Sequence, residues 1–346
     1  MAKKDAYRVL VVGAGMIGQE MVKVLRQRKF PMSELKILAR SNRKQVIAGE
    51  EYDVKETKPE EFDGFDLAFF AGTEGEKGAC VTFGPKAVKK GVVCIDNGAD
   101  FRMKRKVPLV VPEVNPDALK THQGIIANPN CSTVQMVMAI YPIHKLSRIK
   151  RVWVATYQAV SGTGTSAYKE LQAQVRAWAE GKPLDGLIKE YPVQIAFNLF
   201  PKIGDLEQPP EKFPGYYKEE IKMIQETQKI MGDRRIKVTA TCVRVPVLNG
   251  HSEAITVETE APVSVEQARE ALRNMPGVVL MDEPEKGIWP HPLIASGNDA
   301  TYVGRVRKDS AVKNGLSLFC VADNIRKGGA LNAVQIAEKM MEMNLI

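Results

Sequence analysis

Residues Tyr7–Val12 form a valine-rich apolar run that passes directly into Gly13-Ala14-Gly15-Met16-Ile17-Gly18, and the stretch 20–28 beyond has helical character. Strand, G-x-G-x-x-G turn and helix in this order restrict the chain more than any other feature. The glycines allow a tight turn and close backbone approach to a pyrophosphate at a helix N-terminus. A dinucleotide-binding βαβ unit is therefore expected, with Gly13, Ala14, Gly15, Met16, Ile17 and Gly18 as its cradle. Cofactor choice in such a unit is set at the end of the second strand, expected at 35–39. There the chain reads Arg40-Ser41-Asn42-Arg43, with no carboxylate for a ribose 2′-hydroxyl. A guanidinium and a hydroxyl suit a 2′-phosphate, so Arg40 and Ser41 point to NADP(H), with NAD(H) the weaker alternative. The other reading of Arg40 is an exposed charge after a strand.

Alternation continues with a strand at 67–70, a loop Ala71-Gly72-Thr73, a helix around 86–90 and a strand at 92–95 that ends in Asp96-Asn97-Gly98. Parallel strands with crossover helices predict a Rossmann-type doubly wound sheet that binds ligands above the carboxyl ends of its strands. Thr73 and Arg102 both lie in loops of that kind. An arginine there either binds an anion or pairs with a surface carboxylate.

Past residue 128 the pattern changes. The run 150–159 reads as a strand entering Ser161-Gly162-Thr163-Gly164, a loop with accessible backbone. Tyr168, Leu171, Val175 and Trp178 step by 3, 4 and 3, which marks a helix whose stripe is core or subunit interface. The segment 201–217 is a long, proline-containing loop of the kind that forms functional arms. Runs 236–247 and 251–260 read as strands joined at Leu248-Asn249-Gly250 by a hairpin turn. Ser264 and Gln267 form a capping-box pattern, 302–307 and 316–322 supply further strands, and a last helix spans 329–343. The expected second domain is α+β, with a mixed, largely antiparallel sheet and helices on one face. The division expected is 1–128 with about 325–346, and 129–324.

The most reactive pattern is Asn128-Pro129-Asn130-Cys131-Ser132-Thr133, followed by an apolar stripe at helical spacing. Cys131 thus begins a helix, where unpaired N–H groups and the helix dipole favour a thiolate, although free cysteines are as often buried and inert. His251 opens a strand, with Arg244 in the strand before it, and is either a base or a structural histidine. Glu219 and Lys222, three apart, share one helix face. The five cysteines show no C-x-x-C, so neither a disulfide framework nor a metal site is expected, and a reducing cytoplasm is the default. The net charge of +8 is spread over short clusters without aromatic interleaving, which argues against nucleic acid. No apolar run approaches the ~20 residues of a membrane span.

Together these blocks resemble the aspartate-β-semialdehyde dehydrogenase family over nearly the whole chain. The resemblance rests on Asn128 to Thr133, Tyr157-Gln158-Ala159-Val160-Ser161-Gly162, Asp100-Phe101-Arg102, Glu219-Glu220-Ile221-Lys222, Arg244 with His251, and Asp323-Asn324-Ile325-Arg326-Lys327-Gly328. It implies Cys131 as nucleophile, His251 as acid and base, and Gln158 as an orienting group. It implies Arg102 and Lys222 on phosphate, Arg244 on the substrate carboxylate and Glu219, rather than Glu220, on the ammonium. Thr73, Ser161, Gly162 and Asn324 join the cofactor contacts. The implied reaction is NADPH-dependent reductive dephosphorylation of L-4-aspartyl phosphate to L-aspartate 4-semialdehyde, reversible with phosphate. It serves biosynthesis of lysine and diaminopimelate, threonine, methionine and isoleucine. A histidine with a pKa near ~6.5 suits proton transfer in both directions. The resemblance also implies a homodimer, a tetramer in some members. One departure is the glycine loop, G-A-T-G-x-V-G in the family and Gly13-Ala14-Gly15-Met16-Ile17-Gly18 here. The alternatives are N-acetyl-γ-glutamyl-phosphate reductase, malonyl-CoA reductase and a non-catalytic nucleotide-binding paralogue.

Overall fold

The structure, a computed structural model, describes residues 4–72, 78–208 and 212–346. The chain divides into two compact units, 1–130 with 328–346, and 131–327.

In the first unit, β1 (Tyr7–Val12), α1 (Met16–Gln27), β2 (Met32–Ala39), β3 (Arg43–Ile47), β4 (Glu50–Glu56), β5 (Leu67–Phe70), α2 (Ala79–Lys89), β6 (Val93–Asp96) and β7 (Ile125–Ala127) follow in order. Among the described residues its sheet has seven strands, in the order β3-β4-β2-β1-β5-β6-β7. Every pairing is parallel except that of β3 with β4. Because side chains alternate across a strand, β1 supplies two cores. Val9 and Val11 face Met21 and Leu25 of α1 and Val334, Ile336 and Met340 of the C-terminal helix, Leu331–Glu342. Leu10 and Val12 face Phe62, Phe70, Cys80 and Ala87 on the other side. Each of these fully buried side chains contributes about 1.5–3 kcal/mol of apolar transfer, which makes the strand nearly continuous in hydrophobicity.

The glycine turn has a steric basis. Gly13 has φ +112°, and its N–H bonds the Leu38 carbonyl at 2.7 Å. A Cβ on Gly18 would lie 1.7 Å from the Gly13 carbonyl oxygen. That contact lets α1 start directly against the strand end. The strands β3 and β4 went unrecognised in the sequence because Arg43-Lys44-Gln45 and Glu50-Glu51 are solvated edge residues without an apolar stripe. A turn at Ala48-Gly49, with φ +54° and +87°, joins them. Thr73 lies outside the described residues.

The second unit contains α3 (Cys131–Leu146), β8 (Ile149–Gln158), α4 (Thr165–Ala179), α5 (Lys218–Ile230), β9 (Lys237–Arg244), β10 (His251–Thr259), α6 (Val265–Arg273), β11 (Val278–Leu280), β12 (Thr301–Lys308) and β13 (Gly315–Ala322). Its described strands are ordered β11-β12-β13-β10-β8-β9, with the two outer pairings parallel and the three inner ones antiparallel. The expected hairpin between β9 and β10 is therefore absent, since β8 lies between them. Residues after Arg244 cross the end of β8: Val245 donates to the Gln158 carbonyl at 3.1 Å, and Val160 donates to the Val247 carbonyl at 2.9 Å. The Asn-Gly signal is real but local, with Gly250 at φ +91° turning the chain into β10. The capping box of α6 forms as its sequence predicts, Gln267 N–H to Ser264 Oγ at 3.1 Å and Ser264 N–H to Gln267 Oε1 at 2.9 Å.

Candidate active site

Three strand ends meet at one end of the second unit's sheet. Gln158, the last residue of β8, is in register with Arg244, the last of β9. The antiparallel neighbour β10 begins there with His251, whose successor Ser252 is in register with Tyr157. All three side chains are buried. The peptide after Gln158 serves two of them at once. Ala159 N–H donates to His251 Nδ1 at 3.0 Å, and its carbonyl accepts from Arg244 Nη1 at 2.5 Å. Gly162 closes over both, because a Cβ there would come within 3.0 Å of His251 Nε2 and 3.2 Å of Arg244 Nη1.

The expected acidic and basic residues gather here too. Gln158 Nε2 donates to Glu219 Oε1 at 3.0 Å, Thr156 Oγ1 donates to Gln158 Oε1 at 3.1 Å, and Lys222 lies 3.6 Å from Glu219. Glu220 is occupied elsewhere. One of its oxygens accepts the Tyr217 N–H at 2.9 Å at the start of α5, and the other accepts the Cys242 N–H at 3.2 Å. Glu219 is thus the carboxylate that faces Gln158.

The position of Cys131 follows from register. One turn along α3, the Gln135 carbonyl accepts from Cys320 Sγ at 3.5 Å, and Cys320 is in register with Glu253 on β10. Moving four residues back along a helix covers about 6 Å, and moving two back along a strand covers about 6.6 Å. Because only Ser147 and Arg148 separate α3 from β8, the two elements run in opposite directions, so α3 begins with Cys131 towards the end of the sheet where Gln158 and Arg244 terminate and His251 begins. The other four cysteines are buried, and burial pushes the Cys80, Cys94, Cys242 and Cys320 thiols upward. Cys131 is only partly buried, as a nucleophile requires.

His251 differs from expectation. Complete burial, reinforced by the Arg244 charge and opposed by Glu219, lowers its pKa to about 3. Because Nδ1 accepts from Ala159, the neutral ring carries its proton on Nε2, which has no hydrogen-bond partner among the described residues. The Nε2–H is thus the proton that this ring presents in the free protein.

Ser161 and Asn324 are both buried and bonded to one another, Asn324 Nδ2 donating to Ser161 Oγ at 3.0 Å, while Asn324 Oδ1 accepts the Gly250 N–H at 3.0 Å. The pair therefore fixes the residue that precedes His251. Tyr191, missed in the sequence, lies with its ring centroid 6.0 Å from the Arg244 guanidinium and bonds Thr163 Oγ1 at 2.9 Å.

In the first unit, a cleft of about 530 Å³ is lined by Gly13, Ala14, Gly15, Arg40, Arg43 and Thr57 among others. The Ala14 carbonyl is held by Gln19 Nε2 at 3.2 Å and Gln45 Nε2 at 3.0 Å. Ser41 does not line this cleft but Arg43 does, and Glu56 reaches its rim from the unforeseen strand β4. Met16 begins α1 and Ile17 packs on the core, and neither lines the cleft. Arg102 is buried and donates to the Asn128 carbonyl at 3.0 Å and the Asn97 carbonyl at 2.7 Å. Its neighbour Asp96 is pushed up to about 6 by burial. Among the described residues no helix is long and apolar enough to cross a membrane, and no group of three His, Cys, Asp or Glu side chains is placed to hold a metal.

A dinucleotide-type unit, with a partly buried cysteine and a buried histidine in a second unit, defines the class as a semialdehyde dehydrogenase. The family model described as "Semialdehyde dehydrogenase, NAD binding domain" matches residues 8–122, and that described as "Semialdehyde dehydrogenase, dimerisation domain" matches 140–327. Within that class the chain belongs to the aspartate-semialdehyde dehydrogenase family. It is 51% identical to aspartate-semialdehyde dehydrogenase of Aquifex aeolicus over 98% of this chain and 99% of that one. It is 44% identical to the Bacillus subtilis enzyme over 98% of each. The solved structure of aspartate semialdehyde dehydrogenase II from Vibrio cholerae complexed with ASA superposes with a TM-score of 0.91, at 40% identity, covering 98% of this chain and 99% of that one.

The His251 geometry makes a spectroscopic prediction. The free protein should show one imidazole with the proton on Nε2, neutral down to about pH 4, in nitrogen–proton correlation spectra. Its folded pKa lies below the unfolded value of 6.5, so the unfolded chain takes up the proton first. Stability from this site is complete above pH 6.5 and falls towards pH 3, by about 1.4 kcal/mol per pH unit at most. His251→Gln should flatten that acid slope; an imidazole titrating near 6.5 in the spectra would contradict the assignment.

Proposed function

We propose that this protein catalyses the reversible reductive dephosphorylation of L-4-aspartyl phosphate to L-aspartate 4-semialdehyde. NADP(H) is the cofactor, and the reaction serves synthesis of the aspartate-derived amino acids in the cytoplasm. Family membership supports the reaction, and the absence of any disulfide among the described cysteines fits a reducing compartment. Residues 1–128 with about 325–346 form the nucleotide half in this reading, and 129–324 the catalytic half. The carrying observation is the buried His251 Nε2, unpartnered among the described residues, at the end of the sheet towards which α3 begins with Cys131.

The cradle fits a dinucleotide, because only glycine leaves room at position 18 for the turn that a pyrophosphate approaches. Arg40 and Arg43 on the cleft wall suit a 2′-phosphate, and Lys58 at 3.0 Å offsets the Glu56 carboxylate at the rim. The family resemblance adds Ser161, Gly162 and Asn324 to the cofactor contacts. A bound nicotinamide supplies hydride in the reductive direction.

Cys131 as thiolate attacks the acyl carbonyl; the sulfur–carbon bond forms and the carbon–oxygen bond to phosphate breaks. Arg102 and Lys222 hold the departing phosphate. His251 Nε2–H donates to the carbonyl oxygen while it carries negative charge. Arg244 grips the substrate carboxylate through its fork, Glu219 takes the ammonium, and Gln158 orients the chain between them. Burial is the larger cause of the lowered His251 pKa, and a carboxylate on Arg244 offsets the smaller part owed to the Arg244 charge, which favours the protonated ring that aldehyde release uses.

The second unit is also proposed to form a homodimer. The sheet face away from α3 presents Trp153, Ala155, Thr239, Thr241, Ala254 and Thr256, small side chains flanked by an aromatic, as a partner sheet would need. Ala254→Arg should shift sedimentation from dimer to monomer; an unchanged sedimentation coefficient excludes this face. For the chemistry, Cys131→Ser should lose phosphate-dependent reduction of NADP by at least about 1,000-fold. Arg244→Lys should raise KM about tenfold with kcat within a few-fold. Full activity in Cys131→Ser would sink the covalent scheme.

A further inference from the structure

One same-face step behind Arg244, Gln158 and His251, the sheet carries a second row, Cys242, Thr156, Glu253 and Cys320, which are mutual register partners across β9, β8, β10 and β13. Glu253 is its one carboxyl. The side chain is wholly buried, and neither oxygen makes a hydrogen bond of ordinary geometry with a described residue. The polar group facing it is the Gln135 carboxamide on α3, whose nitrogen and oxygen are equally unpartnered. Gln135 stands four residues after Cys131, and Glu253 two after His251.

Two unsatisfied groups that face each other have one mutual solution. The acid O–H donates to Gln135 Oε1, and Gln135 Nε2 donates to the acid carbonyl. Burial raises the Glu253 pKa well above the carboxylate range, which keeps the proton that this pairing needs. For stability alone an apolar pair of the same volume serves better, since each buried polar group carries a desolvation cost. A neutral pair also adds no negative charge behind a thiolate. What the pair adds is registry, because it meets in only one alignment of helix and strand.

We propose that Glu253 and Gln135 form a neutral acid–amide pair that locks the first turn of α3 to the start of β10. Glu253 is thus a positioning residue for the Cys131 thiol and the His251 ring. This rests on the roles proposed above for Cys131 and His251.

The test uses the full-length protein with Glu253→Gln, Glu253→Asp and the double variant Glu253→Leu with Gln135→Leu. Three readouts are taken: kcat and KM for phosphate-dependent oxidation of aspartate semialdehyde, the pH profile of Cys131 alkylation by iodoacetamide, and Tm. Glu253→Gln keeps a neutral hydrogen-bonding pair and should stay within about threefold of wild-type kcat, with an unchanged alkylation profile. The double variant should melt at or above wild type, yet lose about 10- to 100-fold in kcat at nearly constant KM and shift the alkylation profile. Glu253→Asp, which withdraws the acid by one methylene, should lower kcat at constant KM, and decides the matter if the double variant does not fold. Wild-type kcat and alkylation in the double variant, or in Glu253→Asp, would overturn the proposal. So would a loss in Glu253→Gln as large as in the double variant. If wild-type protein is alkylated at Cys131 but shows no phosphate-dependent turnover, the proposed function fails, while the alkylation profiles still decide the pair.

Discussion

The Ala159 peptide is the fixed point of the second unit. Its N–H holds His251 and its carbonyl holds Arg244, so one planar group sets the distance between the proposed proton donor and the proposed carboxylate clamp. Neither side chain can be moved independently without breaking a buried hydrogen bond, a change that costs about 1–3 kcal/mol. Everything near it serves this arrangement. Gly162 leaves room for the His251 ring and the Arg244 guanidinium, Ser161 and Asn324 tie down the chain ahead of His251, and Tyr191 covers the guanidinium.

That fixed point explains why the strand order matters. Placing β8 between β9 and β10 brings Gln158, Arg244 and His251 to one end, and it uses the segment after Arg244 to wrap that end rather than to form a hairpin. The buried ring is neutral with its proton on Nε2, because burial and Arg244 both disfavour a second positive charge. In the proposed function, a substrate carboxylate on Arg244 removes only the arginine's share of that penalty, and burial, the larger share, remains.

Much of this was legible in the sequence. The strand–glycine–helix start, the parallel first sheet and the mixed second sheet follow from periodicity and turn chemistry, and Cys131, Gln158, Glu219, Arg244 and His251 stand in recognisable blocks. What escaped did so for physical reasons. The strands β3 and β4 bury little and show no apolar stripe, while Asn249-Gly250 turns the chain without pairing its flanks. The Ala159 contacts belong to backbone, which carries no residue signature. The depressed pKa of His251 and the isolation of Glu253 depend on burial from every side, visible only once α3 lies on the sheet.

The central claim is that the acyl group is carried on Cys131. Its most direct test is mass spectrometry of the acid-quenched protein after mixing with L-aspartate semialdehyde and NADP in the absence of phosphate. Under those conditions the thioester has no phosphate to accept its acyl group. The account predicts one aspartyl group on the peptide containing Cys131, removed when phosphate is added before the quench. An unmodified Cys131 in protein that turns over fully once phosphate is supplied would contradict it.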